Sequence, residues 1–97
     1  MPFHILYVVK EGKTMEKIVN ENSIVYKENN KVVAEIDFPS TNENEITITH
    51  TFVDESLRGQ GMAKKLVLEV IAIAKEKNLT LKATCSYAKK FLENNNI

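Results

Sequence analysis

The sequence predicts an α+β domain built on a mixed, mostly antiparallel sheet that contains one parallel βαβ unit. Three observations carry that prediction. Short apolar runs over residues 18–38 are divided by Asn29-Asn30, a pair that tolerates positive φ and so suits a tight hairpin turn. Ile46 to Val53 alternates residue by residue as a strand does, and an amphipathic helical stripe follows it. A second alternating run, Leu79 to Cys85, follows the helix, and strand–helix–strand connections place their two strands side by side and parallel.

Taken in order, Met1 to Val9 is apolar and rich in strand-favouring residues, ending at Glu11-Gly12-Lys13. It reads either as an edge strand or as an extension ahead of a start at Met15. Ile18-Val19 and Ile24 to Lys27 are short strands, and Lys31 to Phe38 is the second arm of the Asn29-Asn30 hairpin. In that arm Val32, Ala34, Ile36 and Phe38 share one face, with Glu35 and Asp37 on the other and more suited to solvent than to chemistry. Pro39 to Glu45 is a polar loop. Along Ile46–Val53, strict alternation puts Ile46, Ile48, His50 and Phe52 on one face and Thr47, Thr49, Thr51 and Val53 on the other. The helix runs from about Met62 to Lys77, because Ala63, Leu66, Val67, Val70, Ile71 and Ala74 recur at the spacing of a buried stripe. Asn78 stops it. Ser86 is placed to cap a last short helix whose inward positions are Ala88, Phe91 and Leu92, and the terminal asparagines fray.

Ninety-seven residues bound the chain to a single domain, 1–97. An apolar fraction of 43% and a charged fraction of 27% exclude disorder and low-complexity classes. One cysteine, Cys85, offers no internal disulfide. The apolar run near the N-terminus is too short to span a bilayer and lacks the basic segment of a signal peptide. The expectation is a cytoplasmic protein without a membrane partner. His4, His50 and Cys85 lack metal-ligand spacing, so no metal is expected. Net charge is zero, but residues 1–57 hold five lysines against ten carboxylates, and residues 58–97 hold eight cations against three carboxylates. This asymmetry of −5 and +5 fits a second half that meets an anion, and equally fits two halves that complement each other across the fold. Nucleic acid is not the expected anion, since the basic half has no interleaved aromatics and no nucleic-acid motif.

The informative segment is Val53-Asp54-Glu55-Ser56-Leu57-Arg58-Gly59-Gln60-Gly61-Met62-Ala63, between a strand and a long helix. Two glycines one residue apart let the backbone turn tightly and aim several N–H groups at one point. The helix N-terminus adds unsatisfied donors and the positive end of the macrodipole. Together these suit a phosphate. Lys64 and Lys65 lie in the first helical turn, where the dipole disfavours a cation and a bound anion would offset that penalty. Arg58 is the lone arginine of the chain, and a guanidinium grips phosphate oxygens in a bidentate way that lysine does not. The plainer reading is that Gly59 and Gly61 only shape the strand-to-helix connection. Neither G-x-G-x-x-G nor the P-loop pattern fits: position 64 is Lys64, and there is no Gly-Lys-Ser/Thr run.

Arg58-Gly59-Gln60-Gly61-Met62-Ala63 resembles the R/Q-x-x-G-x-G/A motif of the GNAT superfamily of N-acetyltransferases, in the same strand–loop–helix–strand–helix context. His50-Thr51, Leu57-Arg58-Gly59-Gln60-Gly61 and Cys85-Ser86-Tyr87-Ala88 resemble a subgroup of very small GNAT-like proteins, over about residues 16–94. The resemblance implies a minimal GNAT-like acyl-CoA N-acyltransferase fold that binds acetyl-CoA. It implies that backbone N–H groups of Arg58, Gly59, Gln60, Gly61, Met62 and Ala63 hold the pyrophosphate. Phe52 and Val53 would pair their backbone with the pantetheine arm, where the two parallel strands splay.

The pattern also departs from the family. Helices that shape the acceptor site and a terminal hairpin are missing, so the acceptor would be met on an open surface or a partner chain would complete the site. Aligning on Ala88 puts Cys85 where the family often has Asn and Leu92 where it has the Tyr that protonates the departing thiolate. Tyr87 occupies a different helical face from Leu92 and does not inherit that role. Cys85, at a strand end before a helix N-terminus, is a candidate nucleophile, and His50 on the neighbouring strand a candidate base. Against these stand a Cys85 that is only a small buried hydrophobe and a His50 that is a hydrogen-bonded core residue. Direct attack by the acceptor is the alternative to a covalent intermediate. The functional expectation is transfer of acetyl from acetyl-CoA to a primary amine on a small molecule or protein, by a monomer or homodimer. Its rival is a catalytically weak acyl-CoA-binding sensor or interaction module.

Overall fold

The computed structural model describes residues 4–10 and 13–95. In chain order these form β1 (His4–Lys10), β2 (Lys13–Val19), β3 (Ser23–Glu28), β4 (Lys31–Asp37), β5 (Ser40–Asn42), β6 (Glu45–Ile48) and β7 (His50–Val53). A single 3-10 turn at Glu55–Leu57 then leads to α1 (Met62–Glu76), β8 (Thr80–Ala83) and α2 (Ser86–Asn94). The fold is α+β, with a five-stranded sheet in the order β1-β2-β3-β4-β7 and a three-stranded sheet in the order β5-β6-β8. All neighbours are antiparallel except β6 and β8, which are the parallel pair.

The N-terminal run is an edge strand: β1 pairs along its length with β2, from His4↔Val19 to Lys10↔Lys13. Its expected turn at Glu11-Gly12 lies outside the described residues, as do Met1–Phe3 and the final Asn96-Ile97. The β3–β4 hairpin turns at Asn29 and Asn30, whose φ values of 52° and 63° are those of a two-residue turn that matches strand twist. Between β3 and β4 the register slips at Tyr26–Lys27 of β3, so Tyr26 faces Ala34 while Lys27 faces Val32. The extra residue is Val33. It is buried and Val32 is half-buried, which corrects the expected alternation: a bulge shifts the side-chain phase by one. Pro39–Glu45 is also more than a loop, because Ser40–Asn42 pairs with β6.

The largest correction concerns Ile46–Val53. It is not one strand but two, broken at Thr49. β6 runs beside β8, with Ile46↔Leu81 and Ile48↔Ala83 in register. β7 runs beside β4, with Ile36↔Thr51 and Ala34↔Val53 in register. Ile46, Thr47 and Ile48 are all buried, whereas beyond Thr49 it is Thr51 and Val53 that turn inward, and His50 and Phe52 are exposed. Thr49 acts as one added residue, so every later side chain changes face. His50 and Phe52 therefore do not share a face with Ile46 and Ile48.

Thr84 and Cys85 both donate their N–H groups to the Ile48 carbonyl, at 2.9 and 3.1 Å. Beyond that point β7 follows β4 while β8 runs into α2, so the two strands part.

Helix α1 buries Leu66, Val67, Val70, Ile71 and Ala74, five of the six expected stripe positions, with Ala63 half-buried near the helix start. Asn78 ends it at φ 56°. These side chains pack with Ile24, Tyr26, Ala34, Ile36, Phe38, Ile46 and Ile48 in one continuous cluster, which Ala88 and Leu92 of α2 join. Tyr26 is fully buried, and its hydroxyl donates to Glu69 of α1 at 2.9 Å. Glu69 also pairs with Lys17 of β2, and the ammonium groups of Lys17 and Lys65 lie 5.8 and 5.4 Å from the Tyr26 ring centre. This network ties α1 to the sheet within two turns of its N-terminus. Among the described residues, no helix is long and apolar enough to cross a membrane.

Candidate active site

The connection from β7 to α1 is built in three steps. Asp54 closes the 3-10 turn by accepting from the Ser56 amide at 3.1 Å and the Ser56 hydroxyl at 2.6 Å. Those bonds hold its carboxyl below the usual carboxylate range. Arg58 then folds back, its Nε donating to the Val53 carbonyl at 3.4 Å. Finally Gly59 and Gly61 adopt φ values of 80° and 72°, a region L side chains rarely enter. A Cβ added at either glycine would meet no atom within 4 Å. The glycines are therefore required by backbone conformation and leave open space, rather than relieving a clash with the protein.

Gly61 is the N-cap of α1, with no side-chain cap and no acidic residue in the first turn. The first intrahelical bond is Lys65 N–H to the Gly61 carbonyl at 3.0 Å, so the amides of Met62, Ala63 and Lys64 precede the helix ladder. Helix start, twin positive-φ glycines and Lys64 thus present donors and positive charge without an anion of the protein's own. They open onto a cavity of about 380 Å³ lined by Val53, Arg58, Gly59, Gly61, Met62 and Ala63, all expected from the sequence. Two of the expected cofactor-binding residues are not on this lining. Gln60 turns back so that its Nε2 donates to the Ser56 carbonyl at 3.4 Å, and Phe52 stands on the other face of β7, in register with Glu35.

Thr51, Leu57, Lys64 and Tyr87 complete the cavity wall. Thr51 escaped the sequence reading because strict alternation assigned it to the wrong face. Tyr87 escaped because its place was judged by the helical face of Leu92, whereas the first turn of α2 overhangs the cavity. Its exposure of 42%, high for an aromatic, is the matching signal. Leu92 is buried in the core.

Cys85, the expected nucleophile, is not on the cavity lining; it reaches the cavity through Thr51, which is. Its thiol donates to Thr51 Oγ1 at 3.5 Å, and in a thiolate the hydroxyl becomes the donor. Cys85, not Ser86, is the N-cap of α2, extended at φ −64° and ψ 125°. Burial pushes the thiol up, but the Thr51 hydroxyl and the amides of Ala88, Tyr87 and Thr51 outweigh it and hold Cys85 below the ordinary thiol value.

His50 is not brought to Cys85. It precedes Thr51 on β7 and so points to the opposite side of the sheet, opposite Asp37. There Glu35 and Asp37 form a carboxyl pair. A hydrogen bond to Asp37, burial and the Asp37 charge raise the Glu35 carboxyl, and His50 opposes the rise. Among the described residues, no group of three or more His, Cys, Asp or Glu side chains is placed to hold a metal ion.

Comparison with known proteins agrees with this geometry. Residues 23–96 match the family model described as GCN5-related N-acetyl-transferase. The chain is similar to a GCN5-like protein from Staphylococcus aureus solved by NMR, with 40% identity and a TM-score of 0.70, covering 82% of this chain and 79% of that one. It is similar to Ard1 from Thermoplasma volcanium at 27% identity and TM-score 0.53, covering 61% of this chain and 40% of that one. A ribosomal-protein-alanine N-acetyltransferase from Brucella melitensis shares the fold at 20% identity and TM-score 0.54, over 82% of this chain and 61% of that one. No curated protein matches. A strand broken beside a parallel partner, a glycine loop opening a helix, and a family model spanning residues 23–96 agree: the chain belongs to the GCN5-related N-acetyltransferase family.

Proposed function

We propose that the protein binds acetyl-CoA in the cavity between β7 and the start of α1 and transfers its acetyl group to a primary amine. The observation that carries this reading is the set of uncapped donors at Gly59–Lys64, opening onto a cavity shared with Thr51 and Val53 of β7. The residues present fit the group. The pyrophosphate would lie on the amides of residues 58–63, offset by Arg58 and Lys64, and the pantetheine arm would run along the open backbone edge of β7 at Phe52 and Val53. Bound there, acetyl-CoA would supply a thioester open to nucleophilic attack, with Thr51 and Cys85 as the neighbouring side chains of the chain itself.

Cys85 serves as the nucleophile in this reading. Thr51 and the α2 amides stabilise its thiolate, which attacks the thioester carbon. A sulfur–carbon bond would form at Cys85 as the sulfur–carbon bond of the thioester breaks, the leaving sulfur taking up a proton. The neutral amine would then attack the acetyl carbon and the Cys85 sulfur–carbon bond would break to return the thiolate, the proton the amine sheds on becoming an amide balancing the one taken up by the coenzyme sulfur. The rival binding-module reading has one observation in its favour, the burial of Leu92 where the family often places a tyrosine acid. Intact mass after incubation with acetyl-CoA separates them. An acetyl increment that survives denaturation and maps to Cys85 supports the covalent route. An adduct of the whole cofactor seen only under native conditions supports binding with direct transfer or sensing, and no adduct overturns the acetyl-CoA assignment.

A further inference from the structure

The two helices add their buried side chains to one face of the sheets. On the other face Thr80, Lys82, Thr84, His50 and Phe52 are exposed, and α1 meets β4 and β7 from the side of Ala34 and Ile36 instead. The break at Thr49 turns Phe52, 37% exposed, and His50 out onto that bare face. They stand in register with Glu35 and Asp37 of β4. The result is an aromatic surface beside two half-buried carboxyls and an imidazole. It lies on the reverse of the strand whose Thr51 and Val53 line the cavity, and at the free edge of the five-stranded sheet, β8 belonging to the other sheet.

We propose that this face docks the acceptor, and that the acceptor is a small aliphatic diamine. The inference rests on the acetyl-transfer reading above and adds the substrate class to it. Charge complementarity selects the occupant: Glu35 and Asp37 face a cation, and the methylene chain of a diamine lies on Phe52. Lys27, on the same face of β3 as Val25, bounds the negative patch, so it suits a single ammonium and not a run of basic residues. One end of the diamine is held at the carboxyls, and the other reaches the gap between β7 and β8. This face would meet its acceptor openly, without the additional helices of longer family members.

The test is an amide-resolved NMR titration of the whole chain with 1,4-diaminobutane, followed by n-butylamine, lysine-rich peptide and acetyl-CoA. The expected result is diamine shifts at Glu35, Asp37, His50 and Phe52, binding at least tenfold weaker for n-butylamine, and a similar loss in Glu35→Gln/Asp37→Asn. Glu35→Gln alone retains a donor to Asp37 and serves if the double variant fails to fold. Diamine shifts elsewhere, none at all, undiminished binding in the variant, or tighter binding of the peptide would each overturn the proposal. Acetyl-CoA shifts at Gly59–Lys64 are read separately. Their absence with the diamine site intact defeats the acetyl-CoA reading, whereas their presence without the diamine site defeats only the acceptor assignment.

Discussion

Replacing Gly61 separates two contributions that the loop combines, backbone conformation and room for an anion. At φ 72° an alanine pays the left-handed penalty of roughly 1–2 kcal/mol. With about 4–8 °C per kcal/mol for a domain near this size, Gly61→Ala lowers Tm by roughly 4–15 °C. No steric term is added, because the new Cβ meets nothing within 4 Å. Asparagine removes most of the conformational term. It enters the left-handed region readily, as Asn29, Asn30 and Asn78 do here at φ 52°, 63° and 56°, and it is a favourable N-cap. Gly61→Asn therefore stays within about 1 kcal/mol of the native stability. Its side chain nevertheless enters the space beside the amides of Met62, Ala63 and Lys64 and can cap them itself. Losing even one charge-assisted hydrogen bond to a phosphate costs about 1.5–3 kcal/mol, roughly a ten- to hundredfold loss of affinity. Circular dichroism melts and calorimetric titration with coenzyme A provide the two readouts. A Gly61→Asn protein with near-native Tm that binds coenzyme A within twofold of the parent would refute the assignment of this loop to the pyrophosphate.

Two other perturbations follow from the same geometry. The rate of Cys85 alkylation by iodoacetamide rises with pH as the thiolate forms, with a midpoint below that of an ordinary thiol; Thr51→Val removes a hydroxyl that stabilises the thiolate and moves the midpoint upward. An unchanged midpoint would remove Thr51 from the site. Tyr26 is raised far above the usual phenol range by burial first and then by the Glu69 charge and hydrogen bond. The folded state therefore holds its proton after the unfolded chain has lost it, and stability falls as pH rises above about 10. Tyr26→Phe flattens that alkaline limb and costs roughly 1–3 kcal/mol at neutral pH, since Glu69 keeps Lys17 but loses the hydroxyl. Urea melts at pH 7 and pH 10.5 check both parts.

Much of this protein is written locally. The Asn29-Asn30 turn, the α1 stripe, the Asn78 stop and the twin glycines before a helix follow from dihedral preference and periodicity within a few residues, and so does the family resemblance they carry. That short-range information also places the cavity, because a loop between a strand and a helix start opens there whatever packs behind it. The side-chain phase of a strand is different. At Thr49 and Val33 a single added residue reverses which face looks inward, and nothing in the alternation of Thr47, Thr49, Thr51 and Val53 marks it. The choice is made by partners distant in sequence: Ile48 stays with β8 while Thr51 must lie beside Ile36. Only when both ladders are formed do Thr51 and Cys85 meet on one side of the sheet and His50 and Glu35 on the other. Local sequence marked the hairpin, the helices and the loop chemistry, but not the β5 strand or the break that divides Ile46–Val53. Tertiary structure decided which residues face one another, because long-range hydrogen-bond register sets the face of every side chain beyond the break.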